Sequence, residues 1–265
     1  MKGLKRTWLT IDTDDLRHVP SQQGHPTRSK PDTSIPMLSE QFRTGMKGFK
    51  TWMEGHTRAV TLFVIADQCE SVEFVQMVGD LCDAFGERIS IACHGLHHRS
   101  WSAWPKDVEG FSTDLEASSS VLQQHFPRHF KQWFRAPAGY MASWMIPVLI
   151  SQGFTVDSSI NPSWLVNKKY GPERSWKTVL ASVEETSMVE RPWKTRLSLP
   201  TCGPAQHILG LRWNAKRAWK FLAEPLNASE MATVEDSTVE LDTIYWHILD
   251  HARHGGTWNP PIKGL

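Results

Sequence analysis

Short apolar runs alternate with longer amphipathic segments along most of this chain, and each run empties into polar residues. Thr7 to Ile11, Ala59 to Ile65, Ile89 to Ala92, Gln132 to Phe134 and Phe154 to Val156 read as strands. Met37 to about Met53, Ser71 to Phe85, Lys106 to His125 and Ala142 to Gln152 read as helices, with Gly86, Pro127 and Gly153 as stops. The first helix places Phe42, Met46, Phe49 and Met53 on one side. Ala59–Ile65 is apolar without alternation, as a strand covered on both faces must be. Repeated strand–helix units predict an α/β fold with a parallel sheet, closed as a barrel or left open. Either form builds its site just beyond the strand C-termini. Arg17 to about Pro36 reads as a long loop, and Asn167 to Ser187 carries little signal. Leu197–Leu199 is an expected edge strand broken by Pro200. Val239 to Arg253 is an expected closing helix capped by Gly255 and Gly256.

A length of 265 residues suits one domain over 1–265, and 40% apolar with 22% charged residues is ordinary for a globular chain. A net charge of +1 gives no electrostatic case for nucleic acid or an anionic membrane. No stretch approaches the roughly 18 apolar residues of a transmembrane segment. The basic start, Met1 to Arg6, precedes too short an apolar run for a signal-peptide core, so a cytoplasmic location is expected. Cys69, Cys82, Cys93 and Cys202 lie far apart and read as reduced core residues. Thirteen tryptophans read first as core packing and second as stacking surfaces for sugar rings.

Two polar clusters carry the chemistry. Trp8–Leu9–Thr10–Ile11 runs into Asp12–Thr13–Asp14–Asp15, and Ser90–Ile91–Ala92–Cys93 runs into His94–Gly95–Leu96–His97–His98. Two imidazoles four residues apart, with a carboxylate cluster at another strand end, look like a divalent-metal site. Asp14 and Asp15 both remain candidates for the carboxylate. His97 reads as outward-facing or as a donor behind the site, and His18 and His25 as solvated loop residues.

Thr10–Ile11–Asp12–Thr13–Asp14, Thr61–Leu62–Phe63–Val64, His94-x-x-x-His98, Arg135–Ala136–Pro137–Ala138–Gly139–Tyr140 and Asp157–Ser158–Ser159 stand in the order of a known set of motifs. Over residues 7 to about 165 the chain resembles the NodB-homology polysaccharide deacetylases, carbohydrate esterase family 4. The D-x-D form of the first motif is similar to the cytosolic branch of that family. The resemblance implies a distorted (β/α) barrel and a divalent metal, zinc above all, held by Asp14, His94 and His98. It implies Asp12 as general base, Arg135 as its orienting partner, the Ala138 N–H as an oxyanion donor and Asp157 as a supporting group. It implies a carbohydrate substrate, an N-acetyl or N-formyl amino sugar. The family's late Leu-x-His motif, whose histidine protonates the leaving amine, is expected within Trp219–Pro225, where no histidine stands. Glu224 or a water is then the expected proton source, and His247, His251 and His254 read as residues on or after a closing helix. The missing histidine supports a second reading, a carbohydrate-binding or scaffold pseudoenzyme. A hydrolase of small cyclic amides is a third.

Overall fold

The computed structural model describes residues 5–18, 32, 34–165 and 174–265. Most of the expected first loop, His25 included, lies outside them. β1 (Arg6–Asp12), β2 (Val60–Val64), β3 (Ile89–Cys93), β4 (Phe130–Phe134), β5 (Val156–Asp157) and β6 (Val189–Glu190) follow in order. The short β7 (Thr195–Arg196) and β8 (Leu199–Pro200) form a separate antiparallel hairpin before β9 (Leu241–His247). Seven parallel strands make one curled sheet in the order β6-β5-β4-β3-β2-β1-β9. The curl is drawn together beyond β6, where Trp193 N–H donates to Ile160 O at 2.8 Å and Lys194 N–H to Thr243 O at 2.7 Å. This is the distorted (β/α) barrel that the motifs imply.

Alternation along each strand divides two cores. Trp8, Phe63, Ala92, Trp133, Val156 and Val189 pack inside the curl with Leu226 and Val234. Leu9, Ile11, Leu62, Ile91, Phe134 and Trp246 face the surrounding helices. α1 (Glu40–Glu54), α2 (Val72–Phe85) and α3 (Val108–His125) begin at Ser39, Ser71 and Asp107, whose side chains accept from Phe42, Phe74 and Gly110 N–H. α1 lies close against the chain that follows β9. A Cβ at Gly48 would sit 2.7 Å from Gly256 O, so only glycine permits that approach.

Two expected elements differ. The closing helix is instead β9 followed by one helical turn, Ile248–His251. Its five central residues are all buried, so no alternation separated strand from helix. The run Thr243–Ile244–Tyr245–Trp246 is β-branched and aromatic, and that composition decides the matter. The expected strand Leu197–Leu199 is a hairpin tip, because Leu197 and Ser198 take φ of 53° and 55°. The tryptophans divide largely as core: Trp8, Trp52, Trp101, Trp133, Trp193, Trp219 and Trp246 are buried. All four cysteines are free and buried.

Candidate metal centre

Strand register brings the motifs to one end of the barrel. Asp12 pairs in register with His247 on one side and Phe63 on the other. Thr13 points away: its hydroxyl donates to Gln68 Oε1 at 2.6 Å, and Gln68 Nε2 returns a bond to Thr13 O at 2.7 Å. Asp14 therefore turns back towards the interior. Asp15 does not. Its carboxylate accepts from Ser39 N–H at 2.6 Å and from Ser39 Oγ, anchoring the start of α1. The choice that the sequence leaves open thus has a geometric answer: Asp14 faces the imidazoles and Asp15 faces a helix cap.

Asp14, His94 and His98 each offer a ligand atom within 4.8 Å of the other two. His94 Nδ1–H donates to Arg135 O at 2.8 Å, which leaves Nε2 with its lone pair. Burial lowers His94 to about 4, so the ring is neutral. Its Nε2 faces Asp14 Oδ2 at 3.7 Å, and that oxygen is buried with no hydrogen-bond partner among the described residues. Two electron-pair donors confront each other with no proton between them, an arrangement that a cation completes. His98 Nε2 lies 2.6 Å from Asp14 Oδ1. Burial opposes ionisation of Asp14, but His98, His94 and His247 together hold it well below the usual carboxylate range. The residues present fit a divalent cation.

Asp12 is the carboxylate left over. Arg135 is fully buried and spends its N–H groups on Asp12 Oδ1 (2.6 Å), Thr10 Oγ1 (2.9 Å), Ser158 O (2.9 Å) and Ser158 Oγ (2.9 Å). The Phe63 ring lies 4.0 Å from the guanidinium carbon and the Tyr245 ring 5.1 Å, so aromatic faces replace water around the charge. Ala138 sits in the turn Pro137–Gly139 with φ 54°, and His98 has φ 55°. Two non-glycine residues in the left-handed region border the same site, each at a cost of about 1–3 kcal/mol. Asp157 feels the charge of Arg135 without forming an ion pair with it. It accepts from Ser159 Oγ at 2.5 Å, and Ser159 Oγ accepts from Ala136 N–H at 2.7 Å, so it steadies the turn that carries Ala138.

No histidine stands in Trp219–Pro225, but one ends β9 beside Asp12 and Asp14. Tyr245–Trp246–His247 ends β9, and His247, Asp12 and Asp14 offer ligand atoms within 4.8 Å of one another. Asp250 accepts from His247 N–H at 3.1 Å and lies 2.7 Å from His207 Nε2. Burial disfavours the charged ring, but Asp250, Asp14 and Asp12 outweigh it and raise His247 to about 9. Glu224, the expected substitute, belongs to the opposite end: its backbone carbonyl accepts from Thr7 N–H at the start of β1, and its carboxylate pairs with Arg6 and Arg58. His18 is buried rather than solvated: Nδ1 accepts from Asp15 N–H at 3.2 Å, and Nε2 donates to Asp67 at 3.2 Å. The half-exposed His97 meets the other oxygen of Asp67 at 3.3 Å. His251 is fully buried among Phe49, Trp52 and Trp246. Sequence periodicity missed His247 and Asp250 because it read them as one helix; a β-branched and aromatic run ending in histidine was the available signal.

No protein-family profile and no curated protein matches this chain in sequence. Solved structures do match in fold. A putative polysaccharide deacetylase from Mycobacterium smegmatis aligns over 97% of this chain and 81% of its own, with a TM-score of 0.58 at 16% identity. The PuuE allantoinase aligns over 95% of this chain and 80% of its own, with a TM-score of 0.53 at 11% identity. The chain shares the fold of these two structures, a distorted (β/α) barrel.

Proposed function

We propose that this protein is a metal-dependent hydrolase that removes an N-acetyl or N-formyl group from an amino sugar. The observation that carries this reading is Asp12: a buried carboxylate, fixed by a buried arginine, beside a three-donor cation site that does not use it. Pure binding has no need of such a group. Asp14, His94 and His98 would hold the cation, zinc being suited to two imidazoles and a carboxylate. When bound, it supplies Lewis acidity for the acyl carbonyl and lowers the pKa of water to about 7.

The remaining steps belong to the chain. Asp12 takes the proton of the attacking water while Arg135 keeps its orientation. The Ala138 backbone N–H donates to the carbonyl oxygen as it gains negative charge. His247, charged and held by Asp250, gives its proton to the departing amine nitrogen. The pseudoenzyme reading leaned on a missing proton donor, and His247 is the group that fills that role in this proposal.

The test measures acetate and formate release from chito-oligosaccharides and from nucleotide- or lipid-linked amino sugars by zinc-loaded protein. Wild type should turn over. Asp12→Asn and His247→Asn should keep zinc and lose about 10²–10⁴-fold in kcat, the range of general acid–base catalysis. Tight zinc binding with no acyl release from any of these substrates would refute the hydrolase; hydrolysis of a ring amide alone would move it to cyclic substrates.

A further inference from the structure

A cavity that the chemistry above does not use is lined by the continuation of the loops that carry His98 and Ala138. It measures about 590 Å³, within the roughly 300–1,000 Å³ of ordinary ligand pockets. Its wall comes from these loops, which follow β3 and β4, and from Arg174 and Thr178 later in the chain. Ser102 is four residues past His98, and Ala142 is four past Ala138. Tyr140, next to the Pro137–Gly139 turn, packs on Ala103 and Trp104 and joins the two places.

Three features give this cavity a chemistry. Trp104 and Trp144 are partly buried on its wall, and each is held by a neighbour. The Arg99 guanidinium lies 5.0 Å from the Trp104 ring, and Phe111 meets Trp144 edge-on at 5.7 Å. Braced indoles are ready-made platforms for the C–H faces of pyranose rings. Lys106 and Arg174 add two cations, and among the described residues no carboxylate lines the cavity or pairs with either cation. Arg174 is oriented by one bond, Nη1–H to Ser102 O at 2.9 Å. Finally, Ser102 is 6% exposed and its hydroxyl has no hydrogen-bond partner among the described residues. A buried hydroxyl without a partner is unfavourable, and a ligand oxygen would satisfy it.

We infer that this cavity is a second sugar subsite, selective for a pyranose that carries a negative charge, next to the sugar whose acyl group enters the metal centre. It rests on the amino-sugar reading and narrows it to an acidic glycan. The anion meets Lys106 and Arg174, the ring stacks on Trp104 and Trp144, and a ring hydroxyl pairs with Ser102. A carboxylate and a phosphate share this chemistry.

The test is calorimetric binding to the zinc-loaded Asp12→Asn protein, so that affinity is read without turnover. Three probes are compared: the tetrasaccharide of N-acetylglucosamine, the tetrasaccharide alternating N-acetylglucosamine with glucuronate, and the first bearing 6-phosphate groups. At least one charged probe should bind about tenfold or more tightly than the neutral one, as a charge-assisted bond of about 1.4 kcal/mol gives. Which charged probe wins tells carboxylate from phosphate. Lys106→Ala and Arg174→Gln should each erase most of that preference and leave the neutral probe nearly unchanged; Trp144→Ala should weaken all three. The preference should also fade as salt rises. Equal binding of charged and neutral probes, or variants that weaken both alike, overturns the subsite, as does binding of none. Charge-selective binding without acyl release by wild type keeps the subsite and removes the hydrolase.

Discussion

Replacing Arg135 by methionine tests the arrangement on which the site depends. The guanidinium is fully buried and makes four hydrogen bonds, one of them to the Asp12 carboxylate at 2.6 Å. Methionine fills much of the alkyl volume but offers no donor. Asp12 would then be a buried charge with its partner gone, a loss that costs about 3–5 kcal/mol. The Ser158 carbonyl would keep the Trp193 indole N–H at 2.8 Å and lose only its second donor, for at most about another 1 kcal/mol. The expected loss is about 4–6 kcal/mol out of a total stability of about 5–15 kcal/mol. Adding Asp12→Asn removes the orphaned charge, so the double variant should recover about 2 kcal/mol despite carrying one more substitution. Arg135→Lys, which keeps the charge but not the fork, should fall between. Urea unfolding at pH 7, followed by tryptophan fluorescence, measures all four proteins. An Arg135→Met protein within 1 kcal/mol of wild type, or a double variant no better than the single, would refute the reasoning.

Asp14→Asn should abolish zinc binding in a dialysis assay, whereas Asp15→Asn should keep it and cost about 1–2 kcal/mol through the start of α1; the reverse would exchange the two carboxylates. His251 is lowered by burial to about 4 against 6.5 in an unfolded chain, so the unfolded state binds the extra proton between these values. Stability should therefore decline as pH falls from 6.5, by about 2 kcal/mol at pH 5 from this residue, and His251→Gln should flatten that slope even where it lowers stability at pH 7. Gly48→Ala should cost about 1–3 kcal/mol by thermal unfolding, since its methyl group would meet Gly256 O at 2.7 Å and His251 O at 2.9 Å. An unchanged melting temperature would show that α1 can move aside.

Much of the barrel was legible because its elements announce themselves locally. Ser71 and Gly86 bracket α2 as expected, and the motifs fall at strand ends. What was not legible depended on contacts between distant segments. Asp14 and Asp15 are chemically identical, and only Ser39, supplied by another element, separates them. His247 went unseen because β9 is buried on both faces and so lacks a period. His18 looked solvated because the Asp67 that receives it follows β2, far along the chain.

The inward–outward alternation of Asp12, Thr13, Asp14 and Asp15 makes the length of this tetrad as constrained as its composition. Inserting or deleting a single residue there would swing the orphaned carboxylate oxygen outwards and bring a threonine or a helix anchor in. Four correct side chains would still be present, and none would meet its partner. Homologues that tolerate substitutions at these positions should therefore still refuse a change in spacing.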